Sequence, residues 1–217
     1  MHGLWVTAFF ADLNAPLRVP LAGGTTTMRL GSGLPRAHSR TTVERMTPEL
    51  PILISATSPN STDATDVSFR YYQDIVGRYH GRPASRREIL DAQAGYPSDD
   101  LVEPLGILLL ARQGPTVLGC AGMRVRPSEI GEVTRVFVEP VARGKGVGRL
   151  LMEEIERKSR ELGLDALRLD TRSDLVEARS LYASLGYIEG EPHNSDPYAN
   201  HWFRKELSEA RCRYPEA

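Results

Sequence analysis

Arg143, Lys145 and Arg149 stand among three closely spaced glycines in RGKGVGR (143–149), a combination suited to holding an anion. The apolar run VFV (136–138) before it and the charged, apolar-striped run after it make this a strand-to-helix bend. Free N–H groups at a helix start, and the helix dipole, point into such a bend, and glycine lets the backbone approach a ligand closely. The three basic side chains add positive charge. Two familiar phosphate patterns do not fit. A Walker loop requires Gly four residues before the GK pair and Ser or Thr after it, but those positions are Glu139 and Gly146. A dinucleotide fingerprint requires a third glycine at position 149, which is Arg149, and a parallel βαβ setting.

The elements around the bend predict a mixed α/β sheet. PILISAT (51–57) has strand character, and SPNSTDATD after it offers Ser, Thr and Asp as helix caps. Val67, Tyr71, Ile75 and Tyr79 recur every four residues, which marks a helix ended by GRP (81–83). A shorter helix is expected over 85–93. LGILLLA (105–111), VLGCAGMRV (117–125) and EVTRVFV (132–138) are separated by short turn signals and predict an antiparallel meander. In 145–162, Val147, Leu150, Leu151 and Ile155 share one face, with Glu153, Glu154, Arg157 and Lys158 as outward i,i+4 pairs and Gly163 as the stop. ALRLDT (166–171) is a strand, LVEARSLYASLG (175–186) a helix, and two strands close the order, the second over 201–207.

With 217 residues the chain can bury one substantial core, expected over 48–208. Residues 1–47 are rich in Gly, Thr, Ser and Arg without a sustained period, so a disordered extension or an over-extended start before Met46 is expected, and 209–217 a short tail. A net charge of -1 gives no overall pull toward nucleic acid or an anionic membrane. Cys120 and Cys212 are too few and too far apart for a disulfide framework or a zinc site, which fits a reducing, cytoplasmic setting. No apolar run approaches the roughly 20 residues of a membrane helix.

The pattern Arg/Gln-x-x-Gly-x-Gly/Ala is carried by Arg143, Gly146 and Gly148. A second pattern, Ala-x-x-x-Tyr-x-x-x-Gly-Tyr/Phe, is carried by Ala178, Tyr182, Gly186 and Tyr187. Together they resemble the GNAT superfamily of acetyl-CoA-dependent N-acetyltransferases, over 50–207 in element order and most strongly over 130–190. The resemblance implies a mostly antiparallel sheet flanked by helices and splayed between its fourth and fifth strands. It implies direct acetyl transfer from the thioester to a primary amine, without metal. The amides of Arg143, Gly144, Lys145, Gly146, Val147, Gly148 and Arg149 would cradle the pyrophosphate of coenzyme A, and the backbone of Val136, Phe137 and Val138 would bind its pantetheine arm. One departure is Leu175, where the family often has Asn.

The resemblance also implies catalytic roles. Glu132 stands where several relatives carry a strand glutamate acting as base. Such a base is useful because a lysine-type amine, with pKa near 10.4, is neutral in only about one molecule in two thousand at pH 7. Tyr182 stands where the family places a tyrosine near the coenzyme sulfur, as acid for the leaving thiolate. The acceptor is expected between the first helices and the loop joining the last two strands. Tyr71, Tyr72, Tyr79, Tyr198 and Trp202 would line it, and Asp99, Asp100 or Asp196 would attract an ammonium group. The sequence leaves a small-molecule amine, a peptide or protein acceptor, and a silent coenzyme A sensor as alternatives, although retention of both Glu132 and Tyr182 disfavours the sensor. Homodimers are common among relatives.

Overall fold

The structure is a computed structural model that describes residues 50–207. The expected extension over 1–47, the tail over 209–217 and Cys212 lie outside the described residues. Strands β1 (Ile52–Ala56), β2 (Gly106–Gln113), β3 (Thr116–Arg126), β4 (Ile130–Val138), β5 (Ala166–Thr171), β6 (Ile188–Gly190) and β7 (His201–Glu206) form one sheet in the order β1-β2-β3-β4-β5-β7-β6. Every neighbouring pair is antiparallel except β4 and β5, which are parallel. Helices α1 (Thr62–His80), α2 (Arg86–Gly95), α3 (Val147–Glu161) and α4 (Val176–Ser184) complete the order that the sequence predicts.

Local chemistry fixes the helix ends. Ser61 caps α1 by accepting from the Ala64 amide at 3.3 Å, and Gly81 closes it at φ 63°. Ser85 and Glu88 form a reciprocal capping box on α2. Leu175, the N-cap residue of α4, makes no side-chain capping hydrogen bond. In α3 the buried residues are Val147, Leu151, Met152, Ile155, Glu156 and Ser159, whereas Leu150, expected inside, is exposed. Its surface ions also pair differently from the expected i,i+4 scheme: Arg157 takes Glu154 and Glu161, and Glu153 takes Arg149.

Two cores lie against the sheet. The larger packs α3 and α4 on Leu109, Met123, Val133, Leu167, Leu169 and Phe203. The smaller packs α1 on Leu108, Leu110, Cys120 and Phe137. Each fully buried aliphatic chain contributes about 1.5–3 kcal/mol, so α3 is held mainly by Val147, Leu151, Met152 and Ile155.

Strand β4 changes course midway. Gly122 pairs with Thr134 and Cys120 with Phe137, so two residues of β4, Arg135 and Val136, stand opposite Ala121 alone. This is a β-bulge, and Arg135 takes it in the left-handed region at φ 53°. The inward alternation is thereby reset, with Val133 in the larger core and Phe137 in the smaller. Close approach beside the bulge also requires Gly119, where a Cβ would lie 2.3 Å from the Phe137 carbonyl oxygen and 3.2 Å from Val138 Cα. Both obstacles are backbone. Gly119→Ala is therefore expected to destabilise the domain by about 2 kcal/mol, within the range for overpacking, read as a lower urea midpoint. An unchanged midpoint would contradict this β3–β4 register.

Candidate active site

After β4 the chain makes a 3-10 turn (Pro140–Ala142) and enters the glycine bend. Gly144 and Gly146 have φ of 77° and 80°, and nothing lies within 4 Å of a Cβ built on either. None of the backbone N–H groups from Gly144 to Arg149 donates to an acceptor among the described residues. Gly148 serves packing instead, since its Cβ would lie 3.0 Å from Leu181 Cδ2 of α4. The bend is thus an open concavity of unpaired donors at the start of α3, with the backbone able to bind several anionic oxygens.

The basic side chains contribute less directly than their spacing suggests. Arg143 donates from Nε to the Val138 carbonyl at 3.1 Å and from Nη2 to Asp74 at 3.1 Å, with Glu177 4.0 Å from Nη1. It braces the bend against β4, α1 and α4. Arg149 donates to Ser184 Oγ at 3.0 Å and lies 3.6 Å from Glu153. Lys145 is exposed and forms no ion pair among the described residues.

Beside the bend, β4 and β5 part. Their pairing consists of Ile130↔Ala166, Gly131↔Leu167 and Glu132↔Arg168, so the edge of β4 from 133 to 138 faces β5 without a strand partner. Val136, Phe137 and Val138 lie in that stretch without a β5 partner, although the Val138 carbonyl already accepts from Arg143 and Phe137 pairs with Cys120 of β3. Glu132 sits on the last paired rung. Its Oε1 accepts from Arg126 Nη2 at 2.8 Å and Nε at 3.2 Å, and its Oε2 from Arg168 Nη2 at 2.9 Å and Nε at 3.2 Å. Burial alone would raise its pKa, but the hydrogen bonds and charges of Arg126 and Arg168 outweigh it and hold the carboxyl below the usual range. A carboxylate so occupied is a weak proton acceptor.

Tyr182 is buried on α4 with its ring 6.0 Å from that of Tyr187 and 5.8 Å from that of Phe203. Burial, and next the nearby charge of Asp170, push its hydroxyl well above the usual tyrosine pKa, so it stays protonated at neutral pH. On the α1 side, Tyr71 packs edge-on to Tyr72 at 4.9 Å and to Phe137 at 6.2 Å. Its hydroxyl is raised chiefly by burial and next by Tyr72.

Arg135 and Asp170 were not among the candidates drawn from the sequence. The Arg135 side chain is buried; Nη2 donates to the Tyr96 and Pro97 carbonyls, the latter at 2.9 Å, and to Tyr72 Oη at 3.3 Å, while Nε and Nη1 have no partner. Asp170 accepts at Oδ2 from Asn194 Nδ2 at 2.7 Å, and Asn194 Oδ1 accepts from Trp202 Nε1 at 3.0 Å. Arg135 was signalled by a charge beside the apolar run VFV; Asp170 alternates with Arg168 on one face of β5 and carried no such signal.

The expected acceptor residues divide. Asp100 is taken by Arg124 at 2.6 Å, and Asp99 is exposed. Asp196 accepts from Tyr96 Oη at 3.0 Å, and Tyr79 meets Tyr198 edge-on at 5.4 Å. These two contacts tie the α1–α2 side to the β6–β7 loop. Arg172 reinforces them, donating to the Ile75 carbonyl at 2.9 Å and lying 5.5 Å from the Tyr79 ring centre. Among the described residues no cluster of His, Cys, Asp or Glu is arranged to hold a metal ion, and no helix is long and apolar enough to cross a membrane.

The sequence profile described as the acetyltransferase (GNAT) family matches residues 70–187. An "IAA acetyltransferase" of Azospirillum brasilense is 37% identical over 124 residues, 57% of this chain and 73% of that protein. A GNAT-family acetyltransferase from Staphylococcus aureus Mu50 superposes with a TM-score of 0.60 at 15% identity, over 73% of this chain and all of that one. The PaiA N-acetyltransferase of Thermoplasma acidophilum, solved with coenzyme A, gives 0.56 at 18% identity over 72% of this chain and 99% of its own.

The geometry of the bend generates a direct test. Gly146→Glu places a carboxylate over the unpaired amides and forces a side chain into the left-handed region, at a backbone cost of about 1–2 kcal/mol. It is expected to weaken acetyl-CoA binding by at least about a hundredfold in calorimetry, while circular dichroism shows a folded domain. Unchanged affinity in the folded variant would remove the cradle assignment.

Proposed function

We infer the acceptor and the division of labour from one premise: this chain belongs to the acetyltransferase (GNAT) family and is an N-acetyltransferase. Bound acetyl-CoA supplies an activated acyl thioester. The amides of Gly144–Arg149 bind its pyrophosphate, and the free edge of β4 at Val136, Phe137 and Val138 binds its extended arm. The fit is supported by the open space over Gly144 and Gly146, by the unpaired donors, and by the stretch of β4 without a strand partner. An amide of that edge, placed beside the thioester oxygen, would stabilise negative charge as it develops there.

The acceptor is a small primary amine. The observation that carries this is the pair of bridges, Tyr96 to Asp196 and Tyr79 to Tyr198, that joins the two walls of the acceptor side. A peptide laid across the groove would have to break both, whereas a small amine reaches the β4–β5 gap by a local opening.

Tyr182 acts as the acid that protonates the departing thiolate. Its raised pKa keeps the proton in place until a strong base forms beside it, and its burial excludes competing water. Glu132 was the base expected from the sequence. Its two arginine partners disfavour that role and favour one as the lock that sets where β4 leaves β5.

Thiol release from acetyl-CoA, measured with phenethylamine, putrescine and glycinamide against lysine-containing and free-N-terminal peptides, tests this reading. Turnover is expected with at least one small amine, at a kcat/KM about tenfold or more above any peptide, and Tyr182→Phe is expected to lower kcat by roughly 10- to 1000-fold without raising the KM for acetyl-CoA. Faster turnover of peptides would overturn the small-molecule acceptor. An unchanged kcat in the folded variant would assign Tyr182 to packing alone.

A further inference from the structure

Beyond Glu132, the gap between β4 and β5 holds one carboxylate that nothing occupies fully. Arg168 is the last residue of β5 paired with β4; Leu169 beyond it is in the larger core, and Asp170 is the next residue on the Arg168 face, just past the point where the strands part. It is held there from behind. Trp202, its cross-strand partner on β7, donates to Asn194, and Asn194 donates to Asp170 Oδ2 at 2.7 Å. The other oxygen, Oδ1, has no hydrogen-bond partner among the described residues, and the side chain is half-buried, not sealed. An oriented carboxylate with one free oxygen, just past the rung where β4 and β5 part, is suited to accept a proton.

We propose that Asp170 is the catalytic base, binding the acceptor's ammonium group through Oδ1 and taking its proton, with Asn194 as the residue that positions it. This rests on the acetyltransferase reading above. The step balances as follows. The ammonium nitrogen gives one proton to Asp170 Oδ1 and its freed electron pair forms a bond to the thioester carbonyl carbon. As the carbonyl re-forms, the carbon–sulfur bond breaks and the sulfur leaves with the electron pair. Tyr182 gives that sulfur its proton and recovers one from the second N–H of the new amide nitrogen. Asp170 passes its proton to solvent. The products are the acetamide, free thiol and one released proton.

The charged and titratable groups acting on Asp170 set its proton affinity. Burial raises its pKa most; the Asn194 hydrogen bond lowers it; Asp196 of the β6–β7 loop and Glu132 of β4 raise it; Arg168 lowers it. The net shift is upward, so Asp170 is a better base than an ordinary aspartate and remains deprotonated only above a raised pKa. His193, with a buried Nε2 that has no partner, senses the same Arg168 and Glu132; burial and then Arg168 lower its pKa. It is therefore neutral at pH 7 and adds no charge.

Activity that requires ionised Asp170 rises with pH through that raised pKa. The test is the pH profile of kcat/KM for the full chain with acetyl-CoA and phenethylamine, putrescine and glycinamide, in the wild type and in Asp170→Asn, Asn194→Ala and Glu132→Gln. Asp170→Asn is expected to lose roughly 100-fold or more at pH 7, to lose the acidic limb, and to regain rate toward pH 9 as the amine deprotonates unaided, with acetyl-CoA affinity unchanged. Asn194→Ala removes a contact that lowers the Asp170 pKa, so its acidic limb moves to higher pH, a shift that packing alone does not produce. If Asp170→Asn keeps the wild-type profile, or if Glu132→Gln abolishes the acidic limb in its place, the assignment is wrong. A folded wild type that releases no thiol with any of the three amines would instead overturn the amine-acetyltransferase reading, and this role with it.

Discussion

Two guanidinium groups converge on Glu132 at the last rung where β4 and β5 pair, and the candidate site depends on the pairing ending there. Arg168 ties that rung to β5 and Arg126 ties it to β3, so the three strands are clamped at one level of the sheet. One step further along, the bulge at Arg135 changes the direction of β4. Backbone N–H and C=O groups inside a protein require partners, so an unpaired strand edge next to a packed core is costly unless something else supplies them. Past that rung the β4 edge is without a β5 partner, and the glycine bend follows directly at the end of β4.

The same bulge distributes side chains to the two faces. Val133 packs under α3, whereas Phe137 packs beneath α1 beside Tyr71 and Cys120. Cys120 itself is enclosed, its thiol pushed up to about 12 chiefly by burial, so it is an inert core residue and no rival nucleophile. Arg135, at the bulge, reaches across to the carbonyls of Tyr96 and Pro97 and so fixes the loop after α2 relative to the sheet. The bridges from α1 and α2 to the β6–β7 loop begin from parts positioned in this way. The loop after α2 is thus positioned by the same strand whose far edge lacks a β5 partner.

Element types were legible in the sequence wherever a long period or a cap residue marked them. Residues 166–171 are a strand over the full predicted span, and α3 falls within 145–162. The glycine spacing in RGKGVG indicated a bend with exposed amides because positive φ and close approach select glycine almost uniquely. What remained hidden was pairwise. Nothing in the order of residues shows that Arg143 turns back to Val138 and Asp74, that Glu132 is shared by two arginines from neighbouring strands, or that Leu150 faces outward while Met152 is enclosed. Those outcomes depend on sheet register and on the bulge, which a single sequence encodes only through contacts distant along the chain. Arg135 carried a signal, a charge at a buried strand position, whereas Asp170 alternates with Arg168 on the less buried face of β5; the role of each depends on which strand stands opposite and where pairing stops.

The central claim is that one continuous surface, the free edge of β4 followed by the glycine bend, receives acetyl-CoA. Titrating the full-length chain with acetyl-CoA and following backbone amide resonances by NMR tests it without an acceptor. The largest shifts are expected at 133–138 and 144–149, with the Glu132 and Arg168 amides marking the last rung of β4–β5 pairing. Shifts confined to the exposed faces of α1 and α2, or a saturable interaction that leaves both segments unmoved, would contradict it.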